Sequence, residues 1–447
     1  MTTPDPGGDA RFWTQLEMVN AALPDGLRAV AGPEGATPGS SVAPGYAELD
    51  GHVLVPAQDL ERAGNMVQDL VPGEADPRVV WPPEHDAGRV SVRRLYVGDR
   101  SARLVADTLT ARRMRATPVH LVSVAGVNLC PGDEPVPASG PLRPPPGARD
   151  AGAGVRVTVL DTGLVPGYLD HPWLAAGSGD PAIPAVDGDV TDEVAGGVIG
   201  PYTGHGTFVA GVVRCTAPAA DVRVHRTFPY AGAVPEDELG LAVRDTLGAH
   251  GWPDIVSLSA GTRTRDAAAL LGLADFMAEL TLHPETVLVA AAGNDGGTDP
   301  FWPAAYAGQP VNASGDLVVS VGALREDGLG RACFSNHGDW VTVYAQGERL
   351  VNAFASGQYT YGYPHSASCR HSDTPLYSGC TCVGVMKAGD TATFTGLAQW
   401  SGTSFATPIV AGLIAARMSE AGISSRQAAR QLVAGRLPVP DLSGYLR

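Results

Sequence analysis

VRVTVLDTG (155–163) decides the fold. Its valine-rich first part reads as a short buried strand, and that strand runs straight into a carboxylate, Asp161. The runs ADVRVHR (220–226), DIVSLSA (254–260), TVLVAAA (286–292) and LVVSVGA (317–323) are of the same kind. Such strands are buried on both faces, as in a parallel sheet. Helical patterns separate several of them, including EDELGLAVRDTLGAHG (236–251) and DAAALLGLADFMAELTLH (266–283). The alternation predicts an α/β domain: a doubly wound, mostly parallel sheet with helices on both faces. In such folds the active site lies beyond the carboxyl ends of the strands, so the residues found there carry the functional reading.

Four of these positions carry chemistry. A carboxylate at the end of a buried strand is costly unless something compensates it. Asp161 therefore reads as an N-cap, a metal ligand or an orienting acid for a histidine. GHGTFVAGVVR (204–214) sets His205 between two glycines at the start of an apolar helix, which leaves the imidazole accessible. AAAGNDGG (290–297) holds Asn294 in a glycine-rich turn. That residue is either an ordinary turn asparagine or an amide donor aimed into a cleft. SGTSFATPIVAGLIAARM (401–418) places Ser404 at the amino end of a helix. Unpaired amides and the helix dipole favour negative charge there. Pro408 is expected within the first turn, where its missing N–H removes no intrahelical bond.

The order Asp161, His205, Asn294, Ser404, at separations of 44, 89 and 110 residues, binds these motifs into one pattern. DTG, GHGTFVAG, AAGN and GTSFATP resemble the four signatures of the subtilases, the subtilisin-like serine proteases, over roughly residues 151–435. WPAAY (302–306), VVSVGAL (318–324) and ACFSNHGDWVTVYAQG (332–347) resemble core segments of the same family. The resemblance implies a subtilisin-like fold and a serine endopeptidase that cleaves peptide bonds through a Ser-His-Asp triad and an acyl-enzyme. It assigns Ser404 as nucleophile, His205 as the base that becomes the acid, and Asp161 as the residue that orients the imidazole. It gives Asn294 the oxyanion. It implies no cofactor for the chemistry, and a peptide or protein substrate added as a strand along Ser259, Ala260 and Gly261. TFPYAGAV (227–234) resembles the opposite edge more weakly.

Phe208, Phe405, Gln346 and Ile409 depart from common family residues without touching the triad. Asp295, next to Asn294, suggests a rim that favours basic side chains. Broad turnover and the processing of a dedicated intracellular protein or precursor peptide both stay open. Two other functions compete: a catalytically silent peptide-binding protein on the same fold, and a serine esterase. A broken triad would favour the first, and this one is intact in sequence. No G-x-S-x-G elbow surrounds Ser404, which disfavours the α/β-hydrolase route to the second.

The rest of the chain sets the context. Its 447 residues carry a net charge of −16, which repels nucleic acid and anionic lipid surfaces on average. Neither partner is expected. Residues 89–115 run against the trend, with eight arginines, and suggest a solvated face or docking of this region onto the acidic remainder. No secretory signal or transmembrane run is evident, which points to the cytoplasm. Residues 1–48 read as a partly ordered extension and 49–130 as a small α+β domain. The role of that domain is open between a prodomain-like inhibitor, a target-recognition or partner-binding module and a simple structural extension. Residues 131–154 read as a proline- and glycine-rich linker or surface-hugging crossover, and a natural cleavage zone. Residues 155–447 form the catalytic domain, with an insertion at 352–396. The carboxylates of DGDVTDE (187–193) are candidates for a structural Ca²⁺. His365, Cys369, His371, Cys380 and Cys382 leave zinc, a disulfide and free thiols open. Cys215 and Cys333 read as small buried hydrophobes.

Overall fold

The computed structural model describes residues 6–70, 77–124, 134–177, 183–192, 194–363, 369, 377 and 386–435. The N-terminal part runs α1 (Pro6–Ala22), β1 (Ala29–Gly32), β2 (Tyr46–Pro56), α2 (Leu60–Leu70), β3 (Arg78–Trp81), β4 (Val92–Tyr96), α3 (Ala102–Ala111) and β5 (Thr117–Ser123). The larger part continues with β6 (Val136–Pro137), β7 (Arg156–Asp161), β8 (Asp187–Gly188), β9 (Val194–Ala195), β10 (Val198–Ile199), α4 (His205–Thr216), β11 (Asp221–Arg226), β12 (Ala233–Pro235) and α5 (Glu236–His250). It closes with β13 (Ile255–Leu258), α6 (Ala274–Leu282), β14 (Val287–Ala291), β15 (Val318–Leu324), β16 (Val343–Gln346), β17 (Leu350–Thr360), β18 (Thr391–Trp400), α7 (Thr403–Ala421) and α8 (Ser425–Ala434).

The central sheet has seven strands in the order β16-β15-β14-β13-β7-β11-β8, and every pairing is parallel. Strand side chains alternate between two apolar layers, because successive Cβ atoms point to opposite faces. Val157, Val159, Val287 and Val289 pack with residues of α4, α7 and α8. Leu160, Val256, Leu258 and Leu288 pack with residues of α5 and α6 on the other face. This is the doubly wound arrangement expected from the valine-rich runs.

The N-terminal sheet is antiparallel among β1–β5, and its outer edge pairs with β12 of the larger part. The stretch 1–48, expected to be ordered only in part, carries a packed helix and a strand. Phe12, Leu16 and Val19 of α1 are buried at helical spacing. Proline and glycine around them dilute the apolar signal. Residues 136–137 pair with β18, and Arg143 exchanges backbone bonds with Val351 at 3.0 and 3.2 Å, so the proline-rich segment hugs the surface.

The expected helix over 266–283 starts only at Ala274. A Cβ on Gly272 would lie 2.6 Å from the Asp237 nitrogen, and the Gly272 N–H donates to Glu236 at 2.8 Å. That close approach to the start of α5 takes the backbone out of helix. The described parts of the insertion 352–396 include most of the antiparallel β17–β18 pair. The insertion's His365, His371, Cys380 and Cys382 lie outside the described residues, as does Cys130, while Cys369 is buried. Cys215 and Cys333 are buried, and burial pushes the Cys215 thiol up to about 11.

The arginine-rich region meets the acidic start of α5. Arg94 donates to both carboxylate oxygens of Asp237 at 2.8 and 2.6 Å, and to Glu238 at 2.9 Å. Arg94 and Asp237 are both buried. Glu236 accepts from the backbone and ring of His120 at 3.0 and 2.8 Å. Arg89 pairs with Asp245, and the Ser91 N–H donates to Asp275 at 2.7 Å. Breaking a buried pair leaves an uncompensated charge. Arg94→Ala, made with Ser404→Ala to prevent self-cleavage, is expected to cost about 3–5 kcal/mol in urea unfolding. A loss under about 1 kcal/mol, the worth of an exposed pair, would contradict a stabilising role at this contact.

Candidate active site

Asp161 ends β7 and His205 opens α4, and the fold brings them into contact. The His205 Nδ1 lies 2.7 Å from Asp161 Oδ1, which also accepts the Thr162 N–H at 2.8 Å. The glycine after the histidine makes this approach possible. A Cβ on Gly206 would sit 2.4 Å from the Gly163 carbonyl and 3.2 Å from Asp161 Cβ. Both side chains are buried, at 0% and 2% exposure for Asp161 and His205. With Nδ1 committed to the carboxylate, Nε2 is the nitrogen left for a hydroxyl.

Ser404 is the second residue of α7. Phe405, next to it, packs against the His205 ring with centroids 5.2 Å apart, and Trp400 meets the same ring edge-on at 5.4 Å. Phe208 meets Phe405 at a tilt, with ring centroids 4.6 Å apart. Two of the departures noted in sequence thus form one aromatic wall behind the imidazole. Asn294 follows β14, and its carboxamide oxygen accepts from the Thr403 N–H at 2.8 Å and the Thr403 hydroxyl at 2.9 Å. Those bonds fix the amide orientation and leave the NH₂ end without a partner among the described residues. Donors at the start of α7 lie beside it, since the first N–H groups of a helix have no intrahelical acceptor.

Pro408 lies past the first turn, as the sixth residue of α7, which corrects the expectation above. The N–H it lacks would have bonded the Ser404 carbonyl. That carbonyl accepts instead from the Ser259 hydroxyl at 2.7 Å. Ser259, expected on the substrate edge, therefore supports the serine turn.

The Ser404 hydroxyl does not bond His205. It donates to the Val124 carbonyl at 3.0 Å and to the Ser259 carbonyl at 3.2 Å. Val124 directly follows β5, and this segment lies between the two edges read from the sequence. Ser123 and Gly261 exchange backbone bonds at 3.1 and 3.0 Å, and the Val124 N–H donates to the Gly232 carbonyl at 2.9 Å. On the same side β5 pairs antiparallel with β12. Val122 and Val124 are buried in the apolar layer that holds Leu258, Ala260 and Val234. Residues 122–124 thus lie as an added strand between Gly261 and β12.

The model of the subtilase family matches residues 152–435, more than half of the chain. The chain belongs to the subtilase family. It is 30% identical to a thermophilic serine proteinase from Bacillus sp. (strain AK1) over 231 residues, 43% of this chain and 51% of that protein. It is 26% identical to thermitase from Thermoactinomyces vulgaris over 218 residues, 46% of this chain and 68% of that one. Its fold is similar to that of fervidolysin from Fervidobacterium pennivorans, a keratinolytic enzyme related to subtilisin. The TM-score is 0.50 at 19% identity, covering 90% of this chain and 57% of that one.

In this subtilase Asp295 is not a free rim carboxylate. Its side chain accepts from Asn336 at 3.2 Å and lies 3.6 Å from an Arg263 nitrogen. The described carboxylates of DGDVTDE, Asp187, Asp189 and Asp192, each face protein donors. Asp187 faces Arg223 at 3.3 Å, Asp189 accepts the Arg226 N–H at 2.9 Å, and Asp192 turns to the start of α4. Among the described residues no group of three or more His, Cys, Asp or Glu side chains is placed to hold a metal, so the described donors do not fit a Ca²⁺. No helix among them is long and apolar enough to cross a membrane. Thr403 was visible inside GTSFATP, but its partnership with Asn294 links positions 109 residues apart, which no local pattern records.

Proposed function

We propose that this subtilase is a serine endopeptidase whose own N-terminal region occupies its substrate cleft and holds it inactive. Ser404 Oγ attacks the carbonyl carbon of an extended peptide lying along Ser259–Gly261, while His205 Nε2 takes its proton. Asp161 keeps Nδ1–H in place and stabilises the imidazolium. The Asn294 amide and the Ser404 backbone N–H receive the oxyanion. His205 then protonates the leaving amine, and water attacks the acyl-enzyme with the same residue as base.

One observation carries the reading. The hydroxyl assigned as nucleophile is hydrogen-bonded to a peptide carbonyl, Val124, in a strand held on both edges of the cleft. Added-strand binding is a general way to hold an extended peptide. The buried Arg94–Asp237 contact favours an inhibitory role for the N-terminal domain over a free partner-binding module. A catalytically silent reading would leave the Asp161–His205 pair without a use.

The test is fluorophosphonate labelling with intact-mass readout. The intact chain is expected to label at least about tenfold more slowly than a chain cut after the cleft strand and freed of its N-terminal part, as for a competent state populated under a tenth of the time. Where the protein cuts itself, the new terminus is expected at or just beyond Val124, before residue 134. The segment from 136 to 143 has backbone bonds to β18 and Val351, which shelter it. Equal labelling of both forms would contradict the inhibitory role.

A further inference from the structure

Asp192 sits outside the four family motifs, thirteen residues before His205. Its Oδ2 accepts the Gly204 N–H at 2.5 Å and the Thr162 hydroxyl at 2.9 Å. The Thr162 oxygen in turn accepts the Gly206 N–H at 3.1 Å. One carboxylate oxygen therefore ties the turn after Asp161 to the residues on both sides of His205. The Asp192 N–H donates to the Leu164 carbonyl at 3.2 Å, which fixes the carboxylate's own backbone. The chain spends a second carboxylate beside Asp161, at a cost in repulsion, on a place where it serves the backbone rather than the imidazole.

We propose that Asp192 is a positioning residue for the Asp161–His205 pair, and that its ionised form is the one that holds the pair in register. This rests on the protease reading above. A carboxylate at a helix amino terminus is favoured by the dipole, and its bonds to N–H and O–H donors are about twice as strong charged as neutral. Protonation weakens both bonds and loosens the start of α4 against the turn after Asp161.

The charged groups facing Asp192 are Asp161 on β7, His205 on α4, Arg226 at the end of β11 and Asp189 in its own loop. Arg226 lines the same open cavity of about 430 Å³. Asp189 is engaged by the Arg226 N–H. Burial, more than the Asp161 charge, pushes the Asp192 carboxyl up to about 7. Its two hydrogen bonds and His205 pull the other way. The ionised form therefore prevails above that pH and is lost as pH falls through it.

The test uses the full chain carrying Ser404→Ala, so that self-cleavage does not intervene, with ¹⁵N-labelled histidine. The Nδ1–H resonance of His205 is followed from pH 5 to 9 with Asp192, Asp192→Asn or Asp192→Ala. With Asp192 the resonance is expected to show an extra inflection near neutral pH. Asp192→Asn keeps an acceptor without the charge, so the resonance remains and the inflection goes. Asp192→Ala loses the resonance to solvent exchange. The same curve in all three would overturn the proposal. In activated chains that keep Ser404, Asp192→Ala is expected to slow fluorophosphonate labelling about ten- to a hundredfold, the scale of a small misplacement of catalytic groups. Asp192→Asn is expected to flatten the acid limb of the rate. Labelling at the unsubstituted rate and pH slope in both variants would also overturn it. No labelling of any chain after removal of its N-terminal part, with the three resonance patterns intact, would remove the protease reading and leave the role of Asp192 standing.

Discussion

Ser404→Ala is expected to lower peptide-bond turnover by about 10⁶-fold while leaving the fold intact. This hydroxyl is the proposed nucleophile, and its removal would leave only binding and oxyanion stabilisation. The substitution is sterically mild. Ser404 Oγ donates to two carbonyls, Val124 and Ser259, and holds up no other side chain. The Ser404 carbonyl, which receives the Ser259 hydroxyl in place of the helical bond that Pro408 removes, is untouched by the change. Circular dichroism should therefore match between the two proteins. Steady-state cleavage of an extended peptide by the activated protein is the check. Cleavage within about tenfold of the unsubstituted rate would place the nucleophile elsewhere, since a triad loses far more with its serine.

Asn294→Ala is expected to cost about 10²–10³ in kcat with little change in KM. The structure separates its two ends: the oxygen is tied to Thr403, and the NH₂ end is left for the cleft. A donor aimed at charge that develops only in the transition state lowers kcat and kcat/KM together when removed. A purely structural asparagine would show its loss as lower stability, and as a rise in KM if the edge shifts. A kcat unchanged within about twofold would remove Asn294 from the oxyanion site.

The sequence made most of the catalytic domain legible, for physical reasons. Buried parallel strands need apolar side chains on both faces, so β7, β11, β13, β14 and β15 stand out as valine-rich runs. The four motif residues lie where strands end or helices begin, and local composition marks such places. Family membership rests on the same residues. What local pattern does not encode is pairing at a distance. Ser123 and Gly261 pair across 138 positions, so nothing near either residue shows that the end of β5 lies beside Gly261. Ser259–Gly261 and, more weakly, 227–234 read in sequence as edges for a substrate; in the structure Gly261 and Gly232 bond the chain's own residues 123 and 124. The aromatic wall of Phe208, Trp400 and Phe405 appeared only as scattered departures. Pro408 was misplaced by part of a turn, because Ser259, its compensating partner, is 145 residues from Ser404. In α1 the apolar stripe was too diluted by its surroundings to read.

Localisation of the adduct tests the central claim most directly. The activated protein is treated with a fluorophosphonate, digested, and its modified peptide sequenced by mass spectrometry. The phosphonyl group is expected on Ser404 alone, and expected to disappear when His205 is replaced by alanine. A modified residue elsewhere, or Ser404 labelled equally without His205, would contradict a cleft in which that imidazole arms that hydroxyl.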